Sequence, residues 1–245
     1  MKRSIKIPAV LTLGSLALLL GTAQPAKAQD QSSQSSVTAI DILLDPDATM
    51  LQHATAANER LRKNYPDGFA LDENHTPHIS CLQRYVRTAD LDKVYAAVSQ
   101  VLAKEKPTTW KLTAYKYYYL PWHDLGLAGI VIKPTDDLIR YQKELVDAVA
   151  PYTVEIGTAA AFVTTKEDPD INQPTIDYIA AFVPHETGDK FNPHVTIGIA
   201  NQDYLKQMLA EPFESFTFSP ASASVYHLGN YGTAKVKLKG WDLTP

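Results

Sequence analysis

Two short segments with the same pattern constrain the fold more than any other feature of this chain. Residues 77–80 read Pro-His-Ile-Ser, and residues 193–196 read Pro-His-Val-Thr. Each segment sets a histidine two positions before a hydroxyl residue, in apolar and β-branched surroundings that are typical of a strand. Because side chains at i and i+2 of a strand point to the same face, the histidine and hydroxyl of each motif are expected to lie together.

In the first motif, this alternation predicts that His78 and Ser80 share one face, with Ile79 and Cys81 on the other. Cys81 is the only cysteine of the chain, so no intrachain disulfide can form. A nucleophilic role for Cys81 is an alternative, but a free cysteine facing away from the histidine is more typical of a small buried hydrophobe. We therefore expect Cys81 in the core.

The second motif predicts the same arrangement. His194 and Thr196 are expected to share a face, with Val195, Ile197 and Ile199 behind them. Two such strands facing each other would place two imidazoles and two hydroxyls around one small polar pocket.

Spacing alone does not identify these motifs, because a histidine two positions before Ser or Thr occurs four times, at His53, His78, His185 and His194. The match at His53 lies in a predicted helix, where residues i and i+2 do not share a face. The match at His185 follows a proline and precedes a glycine, which predicts a loop. Only His78 and His194 combine a preceding proline with a β-branched middle residue and an apolar continuation.

The rest of the chain predicts the order strand, helix, motif strand, helix in each of two halves. In the first half, residues 37–44 predict a strand, and Asp47 predicts the cap of a helix that ends near Asn64. In the second half, a strand begins near Gly129, and Thr135 predicts the cap of a helix that ends near Val149. Residues 176–183 are predicted as a further strand. The motif histidines lie 116 positions apart, at similar places in the two halves.

The N-terminus predicts an export signal. Basic residues precede an apolar run at 7–20, and Ala-Lys-Ala at 26–28 supplies a cleavage pattern, so residues 1–28 are predicted as a signal peptide. The apolar run is short for a membrane span. Residues 29–36 form a polar leader, and residues 37–245 a single domain. We expect an exported protein of the bacterial periplasm, otherwise a secreted one, with no membrane association after signal cleavage.

The charge balance restricts the class of partner. Of 23 basic and 27 acidic residues, the predicted signal peptide contains four basic ones, so the remainder has a net charge of −8. Sequence-independent binding of long nucleic acids depends on a basic face, so it is not expected here. A small phosphodiester in a local pocket is compatible with this charge, and we expect a monomer.

The pair His78-Ile79-Ser80 and His194-Val195-Thr196 resembles the two signature motifs of the 2H phosphoesterase superfamily. In layout, the chain is most similar to the 2′-5′ RNA ligase-like proteins and the cyclic nucleotide phosphodiesterases. The resemblance implies an α+β bilobal fold with pseudo-symmetric lobes, in which antiparallel strands are flanked by helices and the motif strands line a central cleft. Serine in the first motif and the export signal depart from the pattern of many members.

The chemistry of these residue types points to phosphodiester hydrolysis. Histidine, with an ordinary pKa of about 6.5, serves as base or acid near neutral pH. The hydroxyls of Ser80 and Thr196 would donate to non-bridging phosphate oxygens. The hypothesis is metal-independent hydrolysis of a 2′,3′-cyclic phosphate, or a related cyclic or 2′-5′ phosphodiester, without a cofactor. Which histidine is the base stays open at this point.

Other interpretations remain. Each histidine alone could be an ordinary strand residue with satisfied hydrogen bonds. His75 and His78 are three apart, but the intervening proline disfavours the helix that would align them on a metal. A non-catalytic exported module that binds a phosphate-bearing ligand is the second functional class, and RNA ligation is a third.

The aromatic segment 115–122 contains four tyrosines and a tryptophan. Aromatic faces stack on nucleobases, so Tyr119 and Trp122, which are close to the following turn, are candidate substrate-binding residues. Packing of a strand face is the alternative explanation for these side chains.

Overall fold

Two antiparallel sheets organise the computed structural model, which describes residues 36–166 and 168–243. The predicted signal peptide, and the predicted leader except Ser36, lie outside the described residues. The strands are β1 (Val37–Pro46), β2 (Ile79–Arg87), β3 (Leu112–Trp122), β4 (Leu125–Ile132), β5 (Thr153–Val154), β6 (His194–Asn201), β7 (Phe216–Phe218), β8 (Pro220–Leu228) and β9 (Ala234–Asp242).

Five helices of at least nine residues connect the strands in this part of the chain. They are α1 (Ala48–Asn64), α2 (Leu91–Glu105), α3 (Asp136–Val149), α4 (Gln173–Glu186) and α5 (Gln202–Ala210). Short 3₁₀ turns occupy several of the remaining connections. Within the described ranges, no helix combines the length and the apolar character that crossing a membrane requires.

The first sheet has the strand order β5-β2-β1-β8-β9, and the second has the order β6-β4-β3-β7. The first motif therefore lies on the five-stranded sheet and the second on the four-stranded sheet. All pairings are antiparallel. The α+β architecture with two similar halves is thus confirmed.

Two helix caps explain why α1 and α3 begin where the sequence predicts. The Asp47 carboxylate accepts from the backbone N–H groups of Thr49 and Met50. The Thr135 hydroxyl oxygen accepts from the N–H of Leu138. Each cap satisfies N–H groups that the first helical turn leaves without a partner.

The predicted strand at 176–183 is wrong, because these residues form most of α4. The Asn172 side chain accepts from the N–H of Thr175 and caps the helix, and a proline follows in the first turn, where it loses no helical hydrogen bond. Thr175, Ile179 and Phe182 are buried at a helical spacing. His185, predicted in a loop, lies in the last turn of this helix. The second half therefore contains β5 and α4 in addition to the predicted order.

Each half contributes a helix that packs against the motif strand of the other half. Helix α1 of the first half packs against β6, the motif strand of the second half, and α3 of the second half packs against β2. Buried apolar side chains of both sheets and of all five helices form one continuous core. Cys81 lies in this core and is fully buried, as predicted.

Candidate active site

The two motif histidines have matching hydrogen bonds. His78 lies directly before β2, and His194 is the first residue of β6. The Nδ1 atom of His78 is 2.7 Å from the carbonyl oxygen of Thr76, and that of His194 is 2.8 Å from the carbonyl oxygen of Asn192. Because a carbonyl only accepts, Nδ1 carries the hydrogen in both rings. In each neutral ring, Nε2 is therefore the atom with a free lone pair.

The two rings are close enough to interact electrostatically. Burial lowers the pKa of His194 below its ordinary value, the hydrogen bond to Asn192 opposes this, and the positive charge of His78 lowers the pKa further. Since the charged form is the disfavoured one, His194 holds a neutral imidazole at a pH where an exposed histidine is partly charged. The fold thus brings together the two histidines that the motifs single out.

Each motif strand contains a β-bulge directly after its hydroxyl residue. In β2, Ser80 and Leu82 pair with consecutive residues of β1, which leaves Cys81 as the extra residue. In β6, Thr196 and Gly198 pair with consecutive residues of β4, which leaves Ile197 as the extra residue. A bulge shifts the alternation of faces by one position.

The second bulge corrects one prediction. Ile199 is half-buried while Ala200 is fully buried, so Ile199 does not lie behind the motif with Val195 and Ile197. Gly198 has φ +139° at this bulge, a conformation that side chains rarely tolerate. The strand can therefore reverse its faces here, which simple alternation does not anticipate.

A buried amide of α1 fixes the second bulge. The Asn58 side chain donates to the carbonyl oxygen of Ile197 at 2.8 Å and to that of Phe69 at 3.0 Å. Its oxygen accepts from the N–H of Leu71. Asn58 thus connects the bulge of one half to the loop that leads into the other motif.

A second buried amide, Gln142 of α3, fixes the first bulge in the same way. Its side chain donates to the carbonyl oxygen of Cys81, the extra residue of the first bulge, at 3.1 Å, and to that of Glu186 at 3.0 Å. Its oxygen accepts from the N–H of Gly188, in the loop before the second motif. The pseudo-symmetry of the halves therefore extends to the hydrogen bonds that position both motif strands.

A buried carboxylate lies beside the first motif and was missed by the sequence analysis. Asp41 of β1 is fully buried. Its Oδ2 accepts from the Ser80 hydroxyl at 2.5 Å and from Nε2 of Gln83 at 2.8 Å, and lies 3.9 Å from Nε2 of His78. Its Oδ1 has no hydrogen-bond partner. A signal was present in the sequence, since Asp41 is the one charged residue within the apolar run 37–44.

The second half has no counterpart of this carboxylate. Asp41 pairs with Gln83 just beyond the first bulge, and Leu127 pairs with Ile199 just beyond the second. Two half-buried aliphatic side chains thus occupy the positions equivalent to the carboxylate and its amide partner. The histidines have matching backbone hydrogen bonds but different electrostatic surroundings.

The hydroxyls of the two motifs also differ. Ser80 has one hydroxyl hydrogen, and it is directed to Asp41. The Thr196 hydroxyl makes no hydrogen bond to any residue that the structure describes, so its hydrogen is available to a ligand. The two predicted phosphate donors are therefore not equivalent in this structure.

Tyr118 is the aromatic side chain beside the motif histidines. Its ring centroid lies 4.8 Å from that of His194, in an edge-on contact. A side chain at position 129 would collide with the Tyr118 ring, so Gly129 is what lets the tyrosine lie across the strand. Burial raises the pKa of Tyr118, and Tyr178 and Glu186 of α4 raise it further, so α4 also borders the site.

The two predicted stacking residues have different locations. Tyr119 packs with Leu205 of α5 against Gly126, away from the face that carries Tyr118. Trp122 is the last residue of β3 and is 53% exposed. Its ring lies 6.2 Å from that of Tyr231, in the turn between β8 and β9 of the other sheet. Of the pair, Trp122 is the exposed residue and Tyr119 is half-buried.

The described residues contain no group of three or more His, Cys, Asp or Glu side chains arranged to hold a metal ion.

No protein-family model matches this chain, and no curated protein is similar to it in sequence. Among solved structures, TT0787 of Thermus thermophilus aligns with 14% identity and a TM-score of 0.50, over 84% of this chain and 98% of that chain. Escherichia coli LigT complexed with 3′-AMP aligns with 14% identity and a TM-score of 0.43, over 86% and 100%. Usb1 of Kluyveromyces marxianus aligns with 10% identity and a TM-score of 0.38, over 84% and 98%.

At this level of identity, the likeness to TT0787 concerns the fold and extends over nearly all of that chain. The two-sheet architecture with matching motif strands agrees with it. The described part of the chain therefore has the 2H phosphoesterase fold that its paired histidine motifs predict.

Proposed function

We propose that the protein is a phosphoesterase that hydrolyses a 2′,3′-cyclic phosphate, or a related cyclic or 2′-5′ phosphodiester, of a small nucleotide without a metal ion. The observation that carries this proposal is the matched pair of histidines, one from each half, whose hydrogen bonds leave Nε2 of both rings available. A site that only binds phosphate needs no such pair of proton-transferring groups.

The two Nε2 atoms suit an in-line displacement at phosphorus. One unprotonated Nε2 removes a proton from water, and the water oxygen forms a bond to phosphorus. The bond from phosphorus to the 2′ or 3′ oxygen breaks, and the other histidine transfers its Nε2 proton to that oxygen. Each positioned proton transfer contributes about 10²–10⁴-fold to the rate.

We also propose that the protein is exported. Residues 1–28 act as a cleaved signal peptide, and the protein works as a monomer in the bacterial periplasm or as a secreted protein, with no long nucleic acid and no membrane as partner. The sequence pattern of the leader and the net charge of −8 after cleavage support it. Mass spectrometry of the protein purified after export tests it, with Gln29 expected as the first residue.

Turnover assays test the enzyme proposal. The exported protein is incubated with 2′,3′-cyclic nucleotides and 2′-5′ dinucleotides, and the products are separated by chromatography. His78→Ala and His194→Ala are each expected to lower kcat/KM by about 10²–10⁴-fold. His185→Ala is the matched control, because His185 also precedes a threonine by two positions but is exposed at the end of α4.

Full activity in either motif variant would overturn the assignment. Thermal stabilisation by these ligands without any product would instead favour the non-catalytic binding module.

A further inference from the structure

We propose that Trp122 and Tyr231 form a subsite for a second nucleobase, so that the substrate is a dinucleotide or short oligonucleotide that ends in a 2′,3′-cyclic phosphate. This inference rests on the proposed function and names the substrate class of the same cleft. The terminal nucleotide lies at the motif histidines in this arrangement, and the base of the preceding nucleotide lies between the two aromatic rings.

An apolar row on β3 leads from the second motif to this pair of rings. Tyr118, Leu120 and Trp122 alternate along a part of β3 that has no register shift, so they share one face. Tyr118 contacts His194 at one end of the row. Leu120 and Trp122 are 54% and 53% exposed, although both side chains are large and apolar. The row is therefore an uncovered apolar surface that begins at the candidate active site.

The length of this row favours a substrate longer than a mononucleotide. Trp122 lies four residues beyond Tyr118, which corresponds to about 14 Å along a strand. In a nucleoside 2′,3′-cyclic phosphate, the base and the phosphate are attached to adjacent carbons of one ribose. A base whose phosphate lies at the histidines is thus too close to them to reach the far end of the row. A second nucleotide supplies the missing length.

The two rings come from different sheets. Trp122 ends β3 of the four-stranded sheet, and Tyr231 lies in the turn between β8 and β9 of the five-stranded sheet. Their centroids are 6.2 Å apart, and their planes are inclined at 60°. A base stacked between two parallel rings needs them about 7 Å apart, because each carbon–carbon contact is about 3.5 Å. Both side chains are exposed, so rotation of the rings supplies this small opening.

The backbone that carries the Tyr231 ring is held in a conformation that a tyrosine rarely adopts. Tyr231 has φ +58°, in the left-handed region. Its N–H donates to the Thr175 hydroxyl oxygen of α4 at 2.9 Å. The neighbouring Asn230 is buried, and its side-chain oxygen accepts from the Asn172 amide at 2.7 Å. Strained backbone of this kind is concentrated at ligand-binding and active sites. The start of α4 thus fixes the turn while the ring itself is 68% exposed.

The turn after Trp122 is held in a similar way. Gln202, the first residue of α5, donates through its side chain to the carbonyl oxygen of His123 at 2.5 Å. Its backbone N–H donates to the carbonyl oxygen of Asp124 at 3.0 Å. Each ring therefore projects from a backbone that the start of a helix fixes. Such a pre-organised pair loses less conformational freedom when a ligand binds.

The five-stranded sheet offers a positive charge to the additional phosphate of a longer substrate. Lys237 of β9 pairs with Tyr226 of β8, and Tyr226 pairs with Asp41 of β1. Residues opposite each other share a face, so Lys237 lies on the face where Asp41 accepts from Ser80. Its Nζ is 5.5 Å from the centroid of the Tyr226 ring, and it forms no ion pair with an acidic side chain in the described part of the chain. This charge is available to the phosphate that joins two nucleotides.

The first experiment compares a dinucleotide that ends in a 2′,3′-cyclic phosphate with the corresponding mononucleotide. The ratio of their kcat/KM values is measured for wild type, Trp122→Ala and Tyr231→Asn. Wild type is expected to prefer the dinucleotide, and each variant to lower the ratio by about 5–150-fold, the range that one stacking contact of about 1–3 kcal/mol implies. Asparagine removes the Tyr231 ring but adopts a positive φ more readily, so the turn should be kept.

Val236→Ala is the matched control. Val236 follows the same turn and is 45% exposed. It precedes Lys237 without a register shift between them, so its side chain points to the opposite face of the sheet. The ratio for Val236→Ala should equal that of wild type. A wild type without preference for the dinucleotide, or a ratio that neither aromatic variant lowers, would overturn the subsite.

The second experiment measures binding without turnover. Isothermal titration calorimetry gives the Kd of a 3′-phosphorylated dinucleotide and of the corresponding nucleoside 3′-phosphate for wild type, Trp122→Ala and Trp122→Phe. The dinucleotide is expected to bind wild type more tightly, Trp122→Ala to reduce this difference and Trp122→Phe, which keeps a stacking ring, to retain most of it. Equal affinities in wild type, or no binding of either ligand, would overturn the subsite even in an active enzyme. A Trp122-dependent preference in binding, together with no turnover of either cyclic phosphate, would overturn the proposed function and leave the subsite intact.

Discussion

Asp41 and Leu127 occupy equivalent positions beyond the bulges of the two motif strands, but only Asp41 has an ionisable side chain. The backbone around each motif is nearly the same, down to the amide side chain that bonds each bulge carbonyl. One pair of side chains thus makes two similar half-sites chemically different. Such a difference is what acid–base catalysis by two histidines requires, because one must hold a proton and the other must not.

Activity is expected to follow a bell-shaped pH profile whose acid limb has its midpoint below pH 6.5. The pKa of His194 is lowered from its ordinary value of 6.5. Because His194 is the histidine that favours the neutral form, it suits the role of the base, which must be unprotonated, so activity is expected to rise as the pH increases through this lowered pKa. The check is kcat/KM between pH 4 and 10 at constant ionic strength. An acid limb with a midpoint at or above 6.5 would contradict it.

Thr196→Val is expected to cost more activity than Ser80→Ala. The Thr196 hydroxyl has no partner among the described residues, whereas Ser80 donates to Asp41. Removing a hydrogen bond to the charge that develops in the transition state costs about 10²–10³-fold in kcat. Steady-state kinetics of both variants on one cyclic nucleotide measure the difference. Equal losses would mean that substrate binding redirects the Ser80 hydroxyl to the phosphate.

Asn58→Ala and Gln142→Ala are each expected to lower the free energy of unfolding by about 2–3 kcal/mol. Each change leaves two carbonyl oxygens and one N–H without the side-chain partner they have in the structure. Denaturant unfolding measures the loss. Asn64→Ala is a suitable control on α1, because the bonds of Asn64 to Asn201 are exposed, and its cost should be about 1 kcal/mol or less. Comparable losses in all three variants would argue against a special role for the buried amides.

Trp122→Ala and Tyr119→Ala should have different effects. Trp122 is exposed at the end of β3, so its loss is expected to raise KM for a nucleotide by about 5–150-fold, the range that stacking energies of about 1–3 kcal/mol imply. Tyr119 packs with Leu205 against Gly126, so its loss should lower the melting temperature. Kinetics and thermal unfolding of both variants separate the two effects. An unchanged KM in Trp122→Ala would remove it from the substrate-binding residues.

The motifs were predictable because a strand translates spacing directly into shared faces. A histidine and a hydroxyl at i and i+2 share a face wherever the strand is regular, and His78 with Ser80 meets that condition up to the bulge. The caps of α1 and α3 were predictable for a similar reason, since Asp47 and Thr135 act on N–H groups two or three residues away.

Helix α4 could not be predicted in the same way. Its apolar residues form a short, nearly continuous run, which a buried strand and a buried helix share. The contacts of Thr175, Ile179 and Phe182 decide for the helix, together with the Asn172 cap. Only the tertiary structure supplies those contacts.

The sequence by itself therefore determined that each motif histidine shares a strand face with a hydroxyl residue. It also determined that the fold is α+β with two similar halves. The tertiary structure decided that Asp41 stands beside His78, that Leu127 takes its place in the other half and that Tyr118 rather than Tyr119 contacts His194. The physical reason is that these relationships depend on strand register. A single extra residue at each bulge changes which side chains meet, and no pattern along one strand records its partner.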